Sequence, residues 1–245
     1  MLLLKLVLPV PFLSLFLVRF HEGLFHIVVP NSQPLGFEWC LSQPKTVAPR
    51  YAVVGDSKAE ALYYGLAREA LANEHVLLMG SMRLVDAMPA AQQPPAQQAR
   101  ALAALARIQN DPKIETVILS NTLVHMVQNN AKGLIDAAAP QSQLNLWMQA
   151  YGELLQELQA NKKRVVLVID NPTLPDPNSC IEGAMTPFAG LNRLIYRQAN
   201  PDCKLPLPKH MAGTALYRAS LESLARSYPN VQVFDTVPLL CDPAL

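Results

Sequence analysis

Residues Tyr51–Leu66 read YAVVGDSKAEALYYGL, and the fold class follows from how this stretch divides. Tyr51–Val54 is a short apolar run with the character of a buried strand. Gly55 and Asp56 supply turn chemistry, and from Ser57 onward Leu62, Leu66 and Ala70 recur at the spacing of one helix face. Ser57 is therefore expected where the first N–H groups of a helix have no internal partner and the helix end is partly positive. Such N–H groups stabilise an oxyanion formed beside the hydroxyl, which acyl transfer through serine requires. The plainer reading is that Asp56 or Ser57 only caps the helix.

The same division repeats along the chain. His75–Gly80 (HVLLMG), Glu115–Ser120 (ETVILS), Arg164–Asp170 (RVVLVID) and Val231–Asp235 (VQVFD) read as four further strands. Helical patterns fall between them at Ala96–Ile108, at Gln141–Ala160 and at Gly213–Tyr228, with a weaker one at Asn192–Arg197. SMRLVDAMPAAQQPPAQQ, from Ser81, is rich in Pro, Ala and Gln and is predicted to be an exposed loop. Continuous apolar strands alternating with helices predict an α/β three-layer sandwich, a mainly parallel five-stranded sheet flanked by helices in a flavodoxin-like arrangement. Ligands of such sheets sit beyond the carboxyl ends of the strands. Here those ends carry Gly55-Asp56-Ser57, Gly80-Ser81, Asn121-Thr122, Asp170-Asn171 and Asp235-Thr236, small or polar at every strand. One sheet edge would gather them all, which strengthens the reading of Ser57 as a nucleophile.

Composition narrows the partners. The 245 residues are 51% hydrophobic with a net charge of +1 and no Lys/Arg stripe, which argues against nucleic acid as a partner. Cys40, Cys180, Cys203 and Cys241 form no C-x-x-C and have no metal-ligand spacing with histidine, and His21 and His26 stand without other ligand types, so no metal or cofactor is expected. The four cysteines suit one or two disulfides in an oxidising compartment, Cys180–Cys203 being the most natural local pair; free buried thiols are the alternative.

Met1–Val18 is nearly all apolar, with Lys5 its only charge and Arg19 closing it, and would span roughly 27 Å as a helix. Pro9 and Pro11 weaken that helix. Membrane anchor, secretory signal and remnant of a longer membrane domain are the three readings; without an A-x-A-like cleavage site, anchor or remnant is favoured. The expected organisation is a hydrophobic membrane segment over 1–19, a linker over 20–50 with scattered prolines draped on the domain surface, and an α/β domain over 51–245.

These residues resemble the SGNH (GDSL-like) hydrolase family, and more closely the exported SGNH domain fused to integral-membrane acyltransferases that O-acylate bacterial surface polysaccharides. GDSKA at Gly55–Ala59 is similar to the family's first block, GDSHA or GDSL, whose serine aligns with Ser57. Gly80 matches the second-block glycine and Asn121 the third-block asparagine, although the usual Gly-x-Asn-Asp is absent. VVLVIDNPTLPDPNSC and VFDTVPLLCD also look like this subfamily. The resemblance implies Ser57 as catalytic nucleophile, an oxyanion hole from Gly80, Asn121 and the Ser57 N–H, an acyl donor and a polysaccharide acceptor as partners, and a domain facing the periplasm from an inner-membrane anchor beside a membrane acyltransferase domain.

The family's catalytic histidine belongs to an Asp-x-x-His block after the last strand; no such block occurs in the 245 residues, so a fragment of a longer acyltransferase is expected. His210, in a Pro-rich loop, and His125 are weak substitutes, with surface and packing roles respectively the plainer expectation. Lys58 adjoins Ser57 on the helix and so points away from its hydroxyl. Asp56, Asp170 and Asp235 are expected to cap or anchor turns. The rival functions are a carbohydrate esterase of the same fold and a catalytically inactive, membrane-tethered glycan-binding domain.

Overall fold

The computed structural model describes residues 39–43, 48–70, 74–122, 141–172, 181–182, 198–199 and 204–241. Its strands are β1 (Trp39–Gln43), β2 (Tyr51–Gly55), β3 (Val76–Gly80), β4 (Thr116–Ser120), β5 (Arg164–Ile169), β6 (Ile181–Glu182), β7 (Gln198–Ala199) and β8 (Val231–Asp235). The helices are α1 (Ser57–Glu69), α2 (Pro95–Asn110), α3 (Gln141–Ala160), α4 (Leu207–Arg226) and the short α5 (Val237–Leu240). The main sheet runs β1-β3-β2-β4-β5-β8, and β6 with β7 forms a separate antiparallel pair. From β3 to β8 the strands are parallel. The expected five-stranded parallel sheet and its flanking helices are present.

The chain steps from β2 to β3 in one direction and thereafter from β4 outward in the other. Right-handed crossovers then require α1 on the opposite face from α2, α3 and α4. Burial follows that rule. Ala52 and Val54 pack on the face holding α2, α3 and α4, with Ile108, Leu154, Leu155 and Leu221. Tyr51 and Val53 pack on the α1 face with Ala59 and Tyr63. Leu154, Leu155 and Leu158 are wholly buried, so truncating one to Ala would cost roughly 2–5 kcal/mol. The direction of winding reverses at β2, the position at which open α/β sheets form their ligand crevice.

Three features differ from expectation. Trp39–Gln43 lies inside the stretch expected to be linker, yet it pairs antiparallel with β3 as an edge strand. The Pro/Ala/Gln-rich stretch after β3 is not an exposed loop: Met82, Leu84, Val85, Asp86, Ala87 and Met88 are buried, the segment coils into two 3-10 turns (Leu84–Ala87 and Pro89–Ala91), and α2 begins at Pro95. Asp86 accepts from Gln97 Nε2 at 2.7 Å and pairs with Arg83 at 3.1 Å, and the Arg83 guanidinium stacks over Trp147 at 4.7 Å. Finally, α4 starts six residues before the predicted Gly213, because Pro206 and Pro208 sit at its N-terminus, where a missing N–H costs nothing.

Candidate functional site

The site is built on the carboxyl ends of the parallel strands. Asp56 leaves β2 in extended conformation and caps α1, Oδ1 accepting from the Lys58 N–H at 3.0 Å, so Ser57 is the first helical residue. Asp56 Oδ2 accepts from the Thr122 N–H at 2.7 Å, tying the helix start to the end of β4. The expected anchoring role of Asp56 is thus present twice over. Ser57 is exposed.

Register brings the other strand ends alongside. Gly55 is level with Ser120, and Val54 with Met79, so Gly80 follows beside Gly55 and Asn121 comes one residue past Ser120. A Cβ on Gly55 would collide with the Ser120 carbonyl oxygen and stand 2.8 Å from Ala59 Cβ; glycine is what lets β2, β4 and α1 meet this closely. After Gly80, Ser81 adopts a left-handed φ of 56°, and the Met82 N–H donates to the Gly55 carbonyl at 3.2 Å. That turn holds the end of β3 against the end of β2. Asn121 is buried, and among the described residues its Nδ2 has no hydrogen-bond partner. A buried donor left unpaired costs about 1–3 kcal/mol and is rare. Ser57, Gly80 and Asn121 therefore come to one edge from three adjacent strands.

A second polar group flanks them. Lys58 turns away from Ser57, as adjacency on a helix predicts, and its Nζ lies 2.8 Å from Asn171 Oδ1 and 3.2 Å from Asp170 Oδ1 at the end of β5. The Asp170 side chain is fully buried. Further along the edge, Asp235 Oδ1 accepts from the Val237 N–H at 3.0 Å, capping α5, while its Oδ2 forms a short ion pair with Arg218. The capping expected of Asp235 is present; Asp170 instead is the ion-pair partner of Lys58. Burial raises the Tyr217 phenol well above its ordinary value, with the Asp170 charge adding to the shift.

His210 is not a surface histidine. It is buried in the first turn of α4, with Nε2 unpartnered among the described residues. Burial lowers its pKa from 6.5, the Arg218 charge lowers it further and Asp235 opposes. Its charged neighbours belong to β8 and α4, and β8 lies three strands from β2, about 14 Å across the sheet. His75 is at the opposite, amino edge, where its carbonyl accepts from the Arg50 and Tyr51 N–H groups. Neither described histidine belongs to the Ser57 group. His21, His26, His125, Cys180, Cys203 and the hydrophobic segment 1–19 lie outside the described residues, as does the weak helix 192–197. Among the described residues Cys241 has no disulfide partner, and no three His, Cys, Asp or Glu side chains converge as metal ligands.

The doubly wound sheet thus places a serine at the helix start after its switch-point strand, with a buried amide at the end of the neighbouring strand. The chain belongs to the family described as SGNH domain (fused to AT3 domains), which it matches over residues 27–244. That match reaches back past β1 and supports a hydrolase- or acyltransferase-type function in a membrane acyltransferase context. No curated protein matches the chain. Among the described residues no helix is long and apolar enough to cross a membrane.

Proposed function

We propose that this domain carries out acyl transfer through Ser57, and that the intact parent moves an acetyl or similar group onto a hydroxyl of a bacterial surface polysaccharide on the periplasmic side of the membrane. In this reading Ser57 Oγ attacks an acyl ester. The N–H groups of Ser57 and Gly80 and the Asn121 Nδ2 receive the developing oxyanion. Donors fixed in place before the reaction stabilise that charge with little reorganisation. The observation that carries the reading is the buried Asn121 Nδ2, without a partner among the described residues, next to Asp56-bound Thr122 and one residue beyond the strand level of Gly55. A general base is expected from an Asp-x-x-His block after the last strand, as the resemblance implies; His210 is not assigned that part.

The test is acylation itself. Because no Asp-x-x-His block occurs in the 245 residues, the chain is incubated with p-nitrophenyl acetate at alkaline pH, where hydroxide takes the Ser57 proton and p-nitrophenolate leaves, and the acetylated peptide is located by mass spectrometry. Acetyl on Ser57, absent from Ser57→Ala and formed about 10²–10³-fold more slowly in Asn121→Ala, is the expected result. Acetyl confined to lysines and equal in Ser57→Ala would refute it. Comparing water with added oligosaccharide as acceptor then separates esterase from transferase. The placement of both described histidines away from Ser57 favours one other reading, a tethered glycan-binding domain, under which oligosaccharide affinity exists and is unchanged in Ser57→Ala.

A further inference from the structure

We infer that Lys58 is a positioning residue for Ser57: its ion pair with buried Asp170 and its hydrogen bond to Asn171 hold the first turn of α1 against the end of β5. The inference rests on the reading of Ser57 as nucleophile. The residues on either side of Ser57 each direct a side chain to the end of a different strand. Asp56 reaches Thr122 after β4 at 2.7 Å, and Lys58 reaches Asn171 and Asp170 after β5 at 2.8 and 3.2 Å. Ser57 lies between these two tethers, itself exposed. A helix start held only at its cap is free to pivot about that cap; a second tether on a different strand removes the pivot.

Chemistry explains why a lysine suits the position. The Asp170 side chain is fully buried, and a buried carboxylate needs a cation close by. Lys58 is one-quarter exposed, so its stem lies along the domain while its ammonium reaches the carboxylate. The pair also cancels a negative charge that would otherwise face an oxyanion forming at Ser57 from two strands away. The Lys58 ammonium is thereby committed to Asp170, which leaves it no part as the base for Ser57.

Lys58→Met and Lys58→Arg are compared with the parent in two measurements. The first is amide hydrogen exchange at Lys58, Glu60 and Thr122, whose N–H groups bond to Asp56. The second is acylation of Ser57 by p-nitrophenyl acetate, resolved into ester affinity and acylation rate. In Lys58→Met exchange at these three amides rises at least tenfold while exchange in β2 and β4 is unchanged; acylation slows by tenfold or more at unchanged ester affinity, and Arg restores both. Unchanged exchange at the three amides, or a loss of ester affinity with the acylation rate intact, overturns the inference. If Lys58→Met fails to fold, Lys58→Met/Asp170→Asn removes the buried carboxylate charge as well and carries the same two measurements. If the parent itself is not acylated at Ser57, the proposed function fails, and amide exchange alone decides whether Lys58 holds the helix start.

Discussion

Replacing Gly55 with Ala tests whether strand proximity, rather than backbone freedom, is what the site requires of that glycine. A Cβ there would stand 2.8 Å from Ala59 Cβ and intrude more than about 1 Å inside the 3.0 Å that real Cβ atoms keep from the Ser120 carbonyl oxygen. Gly55 does not occupy the left-handed region, so the new methyl brings a collision and no torsional penalty. The obstructing atom is backbone in the β2–β4 ladder, and no side-chain rotation relieves it. Overpacking costs about 1–3 kcal/mol, and a weakened ladder bond at the strand end adds roughly 1 kcal/mol. The expected loss is therefore about 2–4 kcal/mol. For a domain of this size that is a fall in Tm of roughly 4–16 °C. The same displacement parts Ser57 from Asn121 by about 1 Å, enough to slow acylation on the order of a hundredfold at temperatures where the variant is still folded. Gly65 is the internal control: it lies within α1 and its added Cβ meets nothing within 4 Å, so Gly65→Ala should stabilise by about 0.5–1 kcal/mol. Urea and thermal unfolding by circular dichroism, with acylation measured alongside, decide the matter. A Gly55→Ala domain within about 0.5 kcal/mol of the parent, or a Gly65→Ala domain destabilised to the same degree, would refute the steric argument.

Asp56→Ala should lose both the α1 cap and the Thr122 tether, costing about 1–3 kcal/mol, while Asp56→Ser, which caps but is too short to reach Thr122, should fall between; urea midpoints rank the three. His210 gives a pH dependence whose sign is fixed. Its folded pKa lies below 6.5, so the unfolded chain takes up the proton first, and the stability present above pH 6.5 is lost as pH falls through the folded value. His210→Gln should flatten the slope of stability against pH on the acid side of 6.5; an unchanged slope would remove His210 as its source.

Much of the fold was legible because parallel strands buried on both faces are written as uninterrupted apolar runs. Val53, Leu78, Ile118 and Val168 needed no alternation to be found. The ends of those runs also named Gly55, Ser57, Gly80 and Asn121, since a parallel sheet collects its strand ends on one side whatever the helices between them do. What stayed hidden is where local composition points one way and packing the other. The stretch from Met82 to Met88 is flanked by Pro, Ala and Gln, yet the Arg83–Asp86 pair and the Trp147 ring let it enter the core. Pro206 and Pro208 read as loop although they open a helix. The Lys58–Asp170 contact joins residues 112 positions apart, a pairing that local periodicity does not register.

The reversed edge strand has a consequence for polarity. Because β1 runs antiparallel, Trp39 sits level with Gly80 and Gln43 level with Val76, so the chain enters the sheet at the pole that carries Ser57. A parallel β1 would have put that entrance at the other pole, about 16 Å away along a strand of this length. Trp39, the first described residue of the sheet, and Ser57 therefore share one pole.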